Sequence, residues 1–358
     1  MKGSLDAYGF AETVEHAFRK CSASFETRKV PVADGGDLTG KVLSEALGAQ
    51  TTVVKVFDPL QREIQSEYAM AGKTAIVEMA DASGIKKMKP EELNPLKASS
   101  FGTGQLIKHA IDSGCDEILL GVGGSATVDG GSGMLEALGF QFLDSEGNQL
   151  PGNGANLKKV RKIIQSQNFR KIKIQVISDV DNLLLGKNGA AEVFGPQKGA
   201  TPEMVIKLEN GLENWVSLLE YECGRNLKAL KGAGAAGGIA LPLMAFFNAE
   251  IVPGADFILK KLNFEEQVQW ADIIITGEGK IDAQTLGDKA PVAVARMARK
   301  HRKPVIAIGG SIEKEASEGF DAMFSFINRP ISLHDSMMES EKLLFEFSFE
   351  LARLLRVL

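Results

Sequence analysis

Short apolar, β-branched runs alternate along this chain with stretches whose apolar residues recur at helical spacing. The runs predict strands at Lys29–Ala33, Thr51–Phe57, Ile64–Ala69, Ala75–Met79, Glu117–Gly121, Ile172–Ser178, Ile273–Thr276, Val305–Ile308 and Ala322–Phe326. The periodic stretches predict helices at Leu5–Lys20, Gly40–Leu47, Gly104–Ser113, Gly131–Leu138, Pro202–Tyr221, Ala290–His301 and Glu339–Leu355. The helix after Ala200 has a defined start, with Thr201 as cap and Pro202 at the first helical position. Its stripe of Val205, Leu208, Leu212, Trp215 and Leu219 is a core face. Strand–helix alternation of this kind argues for an α/β fold with mostly parallel sheets.

The last strand–helix–strand–strand portion reads as a nucleotide-type unit that completes a sheet begun near the N-terminus. Lys86–Pro95 is charged, holds two prolines and reads as a linker; Gly254–Gln269 reads as a crossover. We therefore expect two α/β domains. One is Rossmann-like, doubly wound and discontinuous, over residues 1–82 and 271–358. The other, residues 83–270, is inserted in it.

Composition narrows the class. With 358 residues the chain can bury a sizeable core. A net charge of -5 gives no global basic character, so nucleic acid is not an expected partner. The three cysteines stand far apart and suggest a reducing compartment rather than a disulfide framework. No apolar stretch reaches membrane-spanning length and the N-terminus has no apolar signal core, so the expectation is cytoplasmic, without a membrane partner.

Candidate chemistry centres on Gly121–Gly133, which has six glycines in thirteen residues between an apolar strand and a helix start. Glycines let backbone N–H groups converge, and a helix N-terminus adds positive potential, so such a loop suits a phosphate. A plain strand–helix turn is the alternative, but it seldom needs six glycines. Gly123, Gly124, Ser125, Thr127, Gly130 and Gly131 are the phosphate-binding candidates, with Asp129 also in the loop. Acidic residues follow three predicted strands: Asp34 before Gly35, Asp179, and Glu278 with Asp282 beside Gly277 and Gly279. Ligands bind beyond the carboxyl ends of strands in open α/β sheets. Carboxylates there suit Mg²⁺ or a base that accepts a hydroxyl proton. Lys198, Lys280 and Lys289 could offset the charge of a transferring phosphoryl group, Lys198 from a loop constrained by Gly195, Pro196 and Gly199. No Walker lysine is present. Gly232–Gly237 matches Gly-x-Gly-x-x-Gly but follows no good strand, so close helix–backbone packing or a second anion loop explains it better than a dinucleotide.

Taken together, Pro31–Gly36, Val77–Ala80, Gly102–Ile107, Gly123–Gly131, Val193–Pro202, Gly232–Gly238 and Ile275–Asp282 with Gln284-Thr285 resemble the bacterial glycerate kinase family without a P-loop. The resemblance implies ATP-dependent phosphorylation of D-glycerate, with ATP and Mg²⁺ as cofactors and an active site between two domains. It leans toward 2-phosphoglycerate as product, in a monomer or homodimer. In that reading Asp179 is the base or metal-orienting group and Lys198 or Lys289 offsets developing charge. Glu278 and Asp282 are the metal ligands, Gly277 and Gly279 touch nucleotide, and Lys2, Ser4, Asp34 and Gly35 touch substrate. The chain departs from the family pattern. The usual opening strand is expected to be absent before Met1. Leu38 replaces a glycine, Leu183 replaces a proline and Asp288 replaces a glycine. A kinase of another small hydroxy acid and a catalytically impaired binding homologue therefore stay open.

Overall fold

The computed structural model describes residues 4–33, 35–36, 38–166, 172–283, 285–287 and 289–357. Among them twelve strands form: β1 (Gln50–Phe57), β2 (Glu63–Ala71), β3 (Thr74–Glu78), β4 (Glu117–Gly121), β5 (Phe140–Leu143), β6 (Gln149–Leu150), β7 (Lys162–Gln165), β8 (Lys173–Ile177), β9 (Glu250–Val252), β10 (Ile274–Ile281), β11 (Val305–Ile312) and β12 (Ala322–Ser325). The chain divides into two compact units, Gly35–Gly254 and Met1–Asp34 with Ala255–Leu358. The fold is mixed α/β, as the alternation predicts.

The larger unit is built on a six-stranded sheet of order β1-β2-β3-β4-β8-β9. β1, β2 and β3 are antiparallel neighbours, whereas β3, β4, β8 and β9 run parallel. The sequence shows the difference. β4 reads Glu-Ile-Leu-Leu-Gly and is buried from Ile118 onward, as a strand covered on both faces must be. β1 alternates exposed and partly buried positions up to Val56, as an edge strand with one wet face does. β3 continues directly into the parallel part of the sheet, and this ties residues 35–82 to the larger unit. The domain limits expected at 82 and 271 thus fall instead at 34 and 254.

Helix Phe101–Asp112 buries Leu106, Ile107 and Ala110 in the same core as Ile118 and Leu120. Helix Pro202–Cys223 starts as its sequence predicts: Thr201 Oγ1 accepts the Met204 N–H at 3.3 Å, and the Val205–Leu219 stripe is buried. A small antiparallel sheet, β6-β5-β7, was not legible in the pattern; its strands are two to four residues long.

The smaller unit holds the parallel sheet β10-β11-β12. β11 reads Val-Ile-Ala-Ile, and its alternate residues enter different cores. Val305 and Ala307 pack with Ala293, Val294 and Ala298 of helix Ala290–Lys300. Ile306 and Ile308 pack with Val14 and Phe18 of helix Ala7–Cys21 and Leu344 and Leu351 of helix Ser340–Leu355. Helices therefore cover both faces. Lys29–Ala33 joins no ladder; Val30 and Val32 pack against the first of these cores. The expected crossover at Gly254–Gln269 forms two helices, Gly254–Lys261 and Phe264–Trp270. No helix among the described residues is long and apolar enough to cross a membrane.

Candidate active site

In the larger unit, the carboxyl ends of β3, β4 and β8 lie side by side, since Glu78 pairs with Gly121 and Gly121 with Ile177. The Gly35-Gly36 pair lies across them. Gly35 adopts φ +88°, and a Cβ there would come within 2.8 Å of the Ile177 carbonyl oxygen. Its own carbonyl accepts the Gly123 N–H at 3.2 Å. A Cβ on Gly123 would lie 2.6 Å from Gly36 Cα, so two backbones meet where no side chain fits.

The loop after β4 is mostly buried, with Gly124 at its exposed tip. Three sets of contacts fix it. Gly124 O accepts the Ile85 N–H at 2.8 Å and Ala126 N–H donates to Ser83 O at 3.0 Å. Gly130, at φ +59°, leaves no room for a Cβ, which would lie 2.4 Å from Trp215 Cδ1; Trp215 Nε1 donates to Gly130 O at 2.8 Å. Gly131, at φ +71°, precedes helix Ser132–Ala137. The third set belongs to Asp129, which is fully buried. Its carboxylate accepts the Ser100 N–H at 2.8 Å and Ser100 Oγ–H at 2.7 Å, and the N–H groups of Gly131 at 3.1 Å and Gly133 at 3.3 Å. Burial pushes this carboxyl above its usual range, and the four donors oppose that.

Lys198 lies on a 3₁₀ turn, Pro196–Lys198, held against Leu93 by Gly199, where a Cβ would be 2.4 Å from the Leu93 oxygen. Its Nζ donates to Ser125 Oγ and to the Thr127 carbonyl, both at 2.7 Å. At 2 % exposure the ammonium is almost wholly removed from water. Desolvation brings its pKa down to about 7, with Asp129 pulling the other way. Thr127 Oγ1 is buried and has no partner. The exposed tip at Gly124 is thus backed by a buried positive charge that reaches it only through Ser125 and the Thr127 carbonyl.

Asp179 follows β8 and is half-buried; its Oδ1 accepts the Gly254 N–H. Glu78, which the strand-end logic did not single out, is its counterpart as the last residue of β3. It accepts the Gly40 N–H at the start of helix Thr39–Leu47. The signal was available: Glu78 follows the apolar run Ala75-Ile76-Val77 as Asp179 follows Val176-Ile177-Ser178. Ser100 was also missed, because the sequence gives no hint that it faces Asp129. Gly232–Gly238 follows no strand and packs under the same loop. Gly237, at φ +73°, would place a Cβ 2.4 Å from the Thr127 oxygen, and Gly130 N–H donates to Gly237 O at 2.9 Å.

In the smaller unit, Gly277, Glu278 and Gly279 lie within β10, not in a loop after it. The ladder to β11 continues through Glu278 opposite Gly309 and Lys280 opposite Ser311. Gly277 is required by packing: a Cβ would come within 2.2 Å of the Ile308 oxygen and 2.7 Å of Phe10 Cζ. Glu278 accepts the hydroxyl of buried Thr285, and its Oε2 is 3.9 Å from Lys289 Nζ. Thr285 Oγ1 in turn accepts the Asp282 N–H at 3.0 Å. Asp282 pairs with Lys280 at 3.1 Å, and Lys280 with Glu313 at 2.7 Å. Glu313 and then Asp282 hold the Lys280 pKa above its usual value.

Among the described residues no group of three or more His, Cys, Asp or Glu could hold a metal ion. Mg²⁺ commonly takes one or two protein carboxylates and completes its shell with water and phosphate oxygens. Glu278 and Asp282 are hard oxygen donors of the kind that pattern uses; the Glu278 carboxylate accepts from Thr285, and the Asp282 carboxylate pairs with Lys280. Ser4 is half-buried in the smaller unit. Lys2, Asp34, Gln284 and Asp288 lie outside the described residues.

Residues 1–356 match the model of the glycerate kinase family. A glycerate kinase of Halalkalibacterium halodurans is 42% identical over 352 residues, covering 96% of this chain and 93% of its own. The glycerate 2-kinase of Escherichia coli K12 is 39% identical, covering 91% and 88%. The crystal structure of a Salmonella typhimurium LT2 protein assigned as a glycerate kinase 2 superposes with a TM-score of 0.85. It shares 38% identity, over 99% of this chain and 96% of that one.

Proposed function

Because this chain belongs to the glycerate kinase family and is an enzyme of it, we propose that it transfers the γ-phosphoryl group of ATP to D-glycerate. A glycerate hydroxyl oxygen forms a bond to phosphorus, the bond to ADP breaks, and the hydroxyl proton passes to a base. The observation that carries the reading is the buried Lys198 ammonium on Ser125 and Thr127, beneath a glycine loop at the carboxyl ends of β3, β4 and β8. Such a loop can take phosphate oxygens without a Walker lysine, its charge supplied from below.

Asp179 is the candidate base. Phosphoryl transfer depends on positioning and electrostatics, so the base needs proximity to the hydroxyl rather than an unusual pKa. Gly123, Gly124, Ser125, Thr127, Gly130 and Gly131 form the phosphate side. Gly35, with Lys2, Ser4 and Asp34, is assigned to substrate, and Gly277 and Gly279 to nucleotide. Glu278 and Asp282 would hold Mg²⁺, which neutralises charge on the phosphates when bound. Lys289, on Glu278, offsets what remains. The product is 2-phosphoglycerate, by likeness to the Escherichia coli glycerate 2-kinase.

A coupled ADP-release assay with D-glycerate tests the reaction, and NMR of the product identifies the phosphorylated oxygen. Glycerate-dependent release that titrates with Mg²⁺ is expected. ADP release only with other hydroxy acids, or none at all, would overturn the substrate assignment.

A further inference from the structure

The glycine loop carries two buried, opposite charges that do not touch each other. Lys198 Nζ bonds to Ser125 and Thr127, at the near end of the loop. Asp129 bonds to Ser100, Gly131 and Gly133, at the far end. Ser100 Oγ also accepts the Met134 N–H at 2.9 Å, which extends the second anchor into the helix that follows. Each charge alone would be costly to bury. An apolar pair would be cheaper at both positions, and loop closure alone requires neither charge. What the pair does provide is a fixed backbone path between Ser125 and Gly133, with the field of one charge balancing the other across it.

We propose that Asp129 and Lys198 are paired positioning residues that set the affinity of the loop for nucleotide phosphate. Lys198 fixes the Ser125–Thr127 half and Asp129 fixes the Gly131–Gly133 half. Neither half keeps its geometry when the other is released. The inference rests on the ATP reading above and adds to it the residues that hold the loop in its binding shape. Asp129 itself touches no ligand: it is fully buried and its bonds are directed at the protein.

The test is a double-mutant cycle on the full chain with Lys198→Met and Asp129→Asn, reading KM for ATP, kcat, and the rise in Tm caused by ADP. Each single variant is expected to raise KM for ATP by about tenfold or more, the size of one charge-assisted hydrogen bond, with a smaller fall in kcat. Each should also lose most of the ADP-induced rise in Tm. The double variant is expected to be little worse than the poorer single one, because both act on one backbone path. Should Asp129→Asn fail to fold, Ser100→Ala takes its place in the cycle, since it removes one donor and leaves the backbone N–H. Variants that fold with KM for ATP and ADP stabilisation within about twofold of wild type, or whose effects multiply, would overturn the pairing. A wild type that releases no ADP with glycerate sinks the functional reading alone, because the ADP-induced shift in Tm needs no turnover.

Discussion

The glycine loop of the larger unit and the acidic end of β10 in the smaller one look alike in sequence: glycines and a carboxylate after an apolar strand. They are built on opposite plans. In the loop, charge is buried and the glycines are forced by collisions with Gly36, Trp215, Pro242 and Ser99. At the end of β10, the strand simply continues, and Glu278, Lys280, Asp282 and Glu313 stay partly or fully wet in ion pairs. The loop is rigid by packing, so its chemistry depends on backbone shape. At the strand end the side chains are held by partly exposed ion pairs rather than by packing. A glycine-rich stretch is thus two different things, decided by what lies against it.

The largest effect separates chemistry from scaffold within the larger unit. Asp179→Asn should lower turnover at least about a hundredfold, the usual scale for a general base, with little change in Tm. Near-normal turnover would leave Asp179 a structural role, of which its bond from Gly254 is part. Next comes Gly130→Ala, which meets Trp215 and an unfavourable positive φ together. A loss of about 2–4 kcal/mol is expected, read as a lower midpoint in urea. A stable Gly130→Ala protein would break the contrast, because it would show that the loop yields as readily as the strand end.

The pH dependence of stability sharpens the same point. The Lys198 pKa falls to about 7 in the folded chain, below its value in the unfolded one. Between those two values the unfolded state binds the extra proton, so stability rises with pH above about 7 and the gain is complete near about 10.5. Below about 7 the charge is buried at full cost. Lys198→Met should remove this rise, as followed by urea titrations across that range. An unchanged profile would mean that the ammonium is better hydrated than its burial implies. The smallest effect is expected at the other site: Lys280→Ala should leave Tm almost unchanged, since Lys280 and Glu313 are exposed and their pairing is screened. A larger loss, seen in thermal unfolding, would make the strand end as structurally committed as the loop.

Much of the fold was written in local pattern. The buried strand at Glu117–Gly121 and the capped helix from Pro202 formed where their periodicity placed them, because burial on two faces and a side-chain cap leave traces in consecutive residues. The strand at Lys29–Ala33 did not, because an extended apolar run needs a ladder partner to become a strand, and Val30 and Val32 meet only the side chains of a core. The domain limits shifted for the same kind of reason: β3 pairs with β4, a choice made between distant segments.

The α/β class, the loop after β4 and, through its ordered motifs, the family are legible in the residues alone. Those depend on residue type and short-range spacing. Long-range packing is what makes Asp129 an anchor inside the loop, brings Ser100 and Gly237 to it, and keeps Gly277-Glu278-Gly279 in strand. These contacts join residues such as Ser100 and Asp129, or Gly277 and Ile308, that are far apart in the chain, and close packing in the core fixes them.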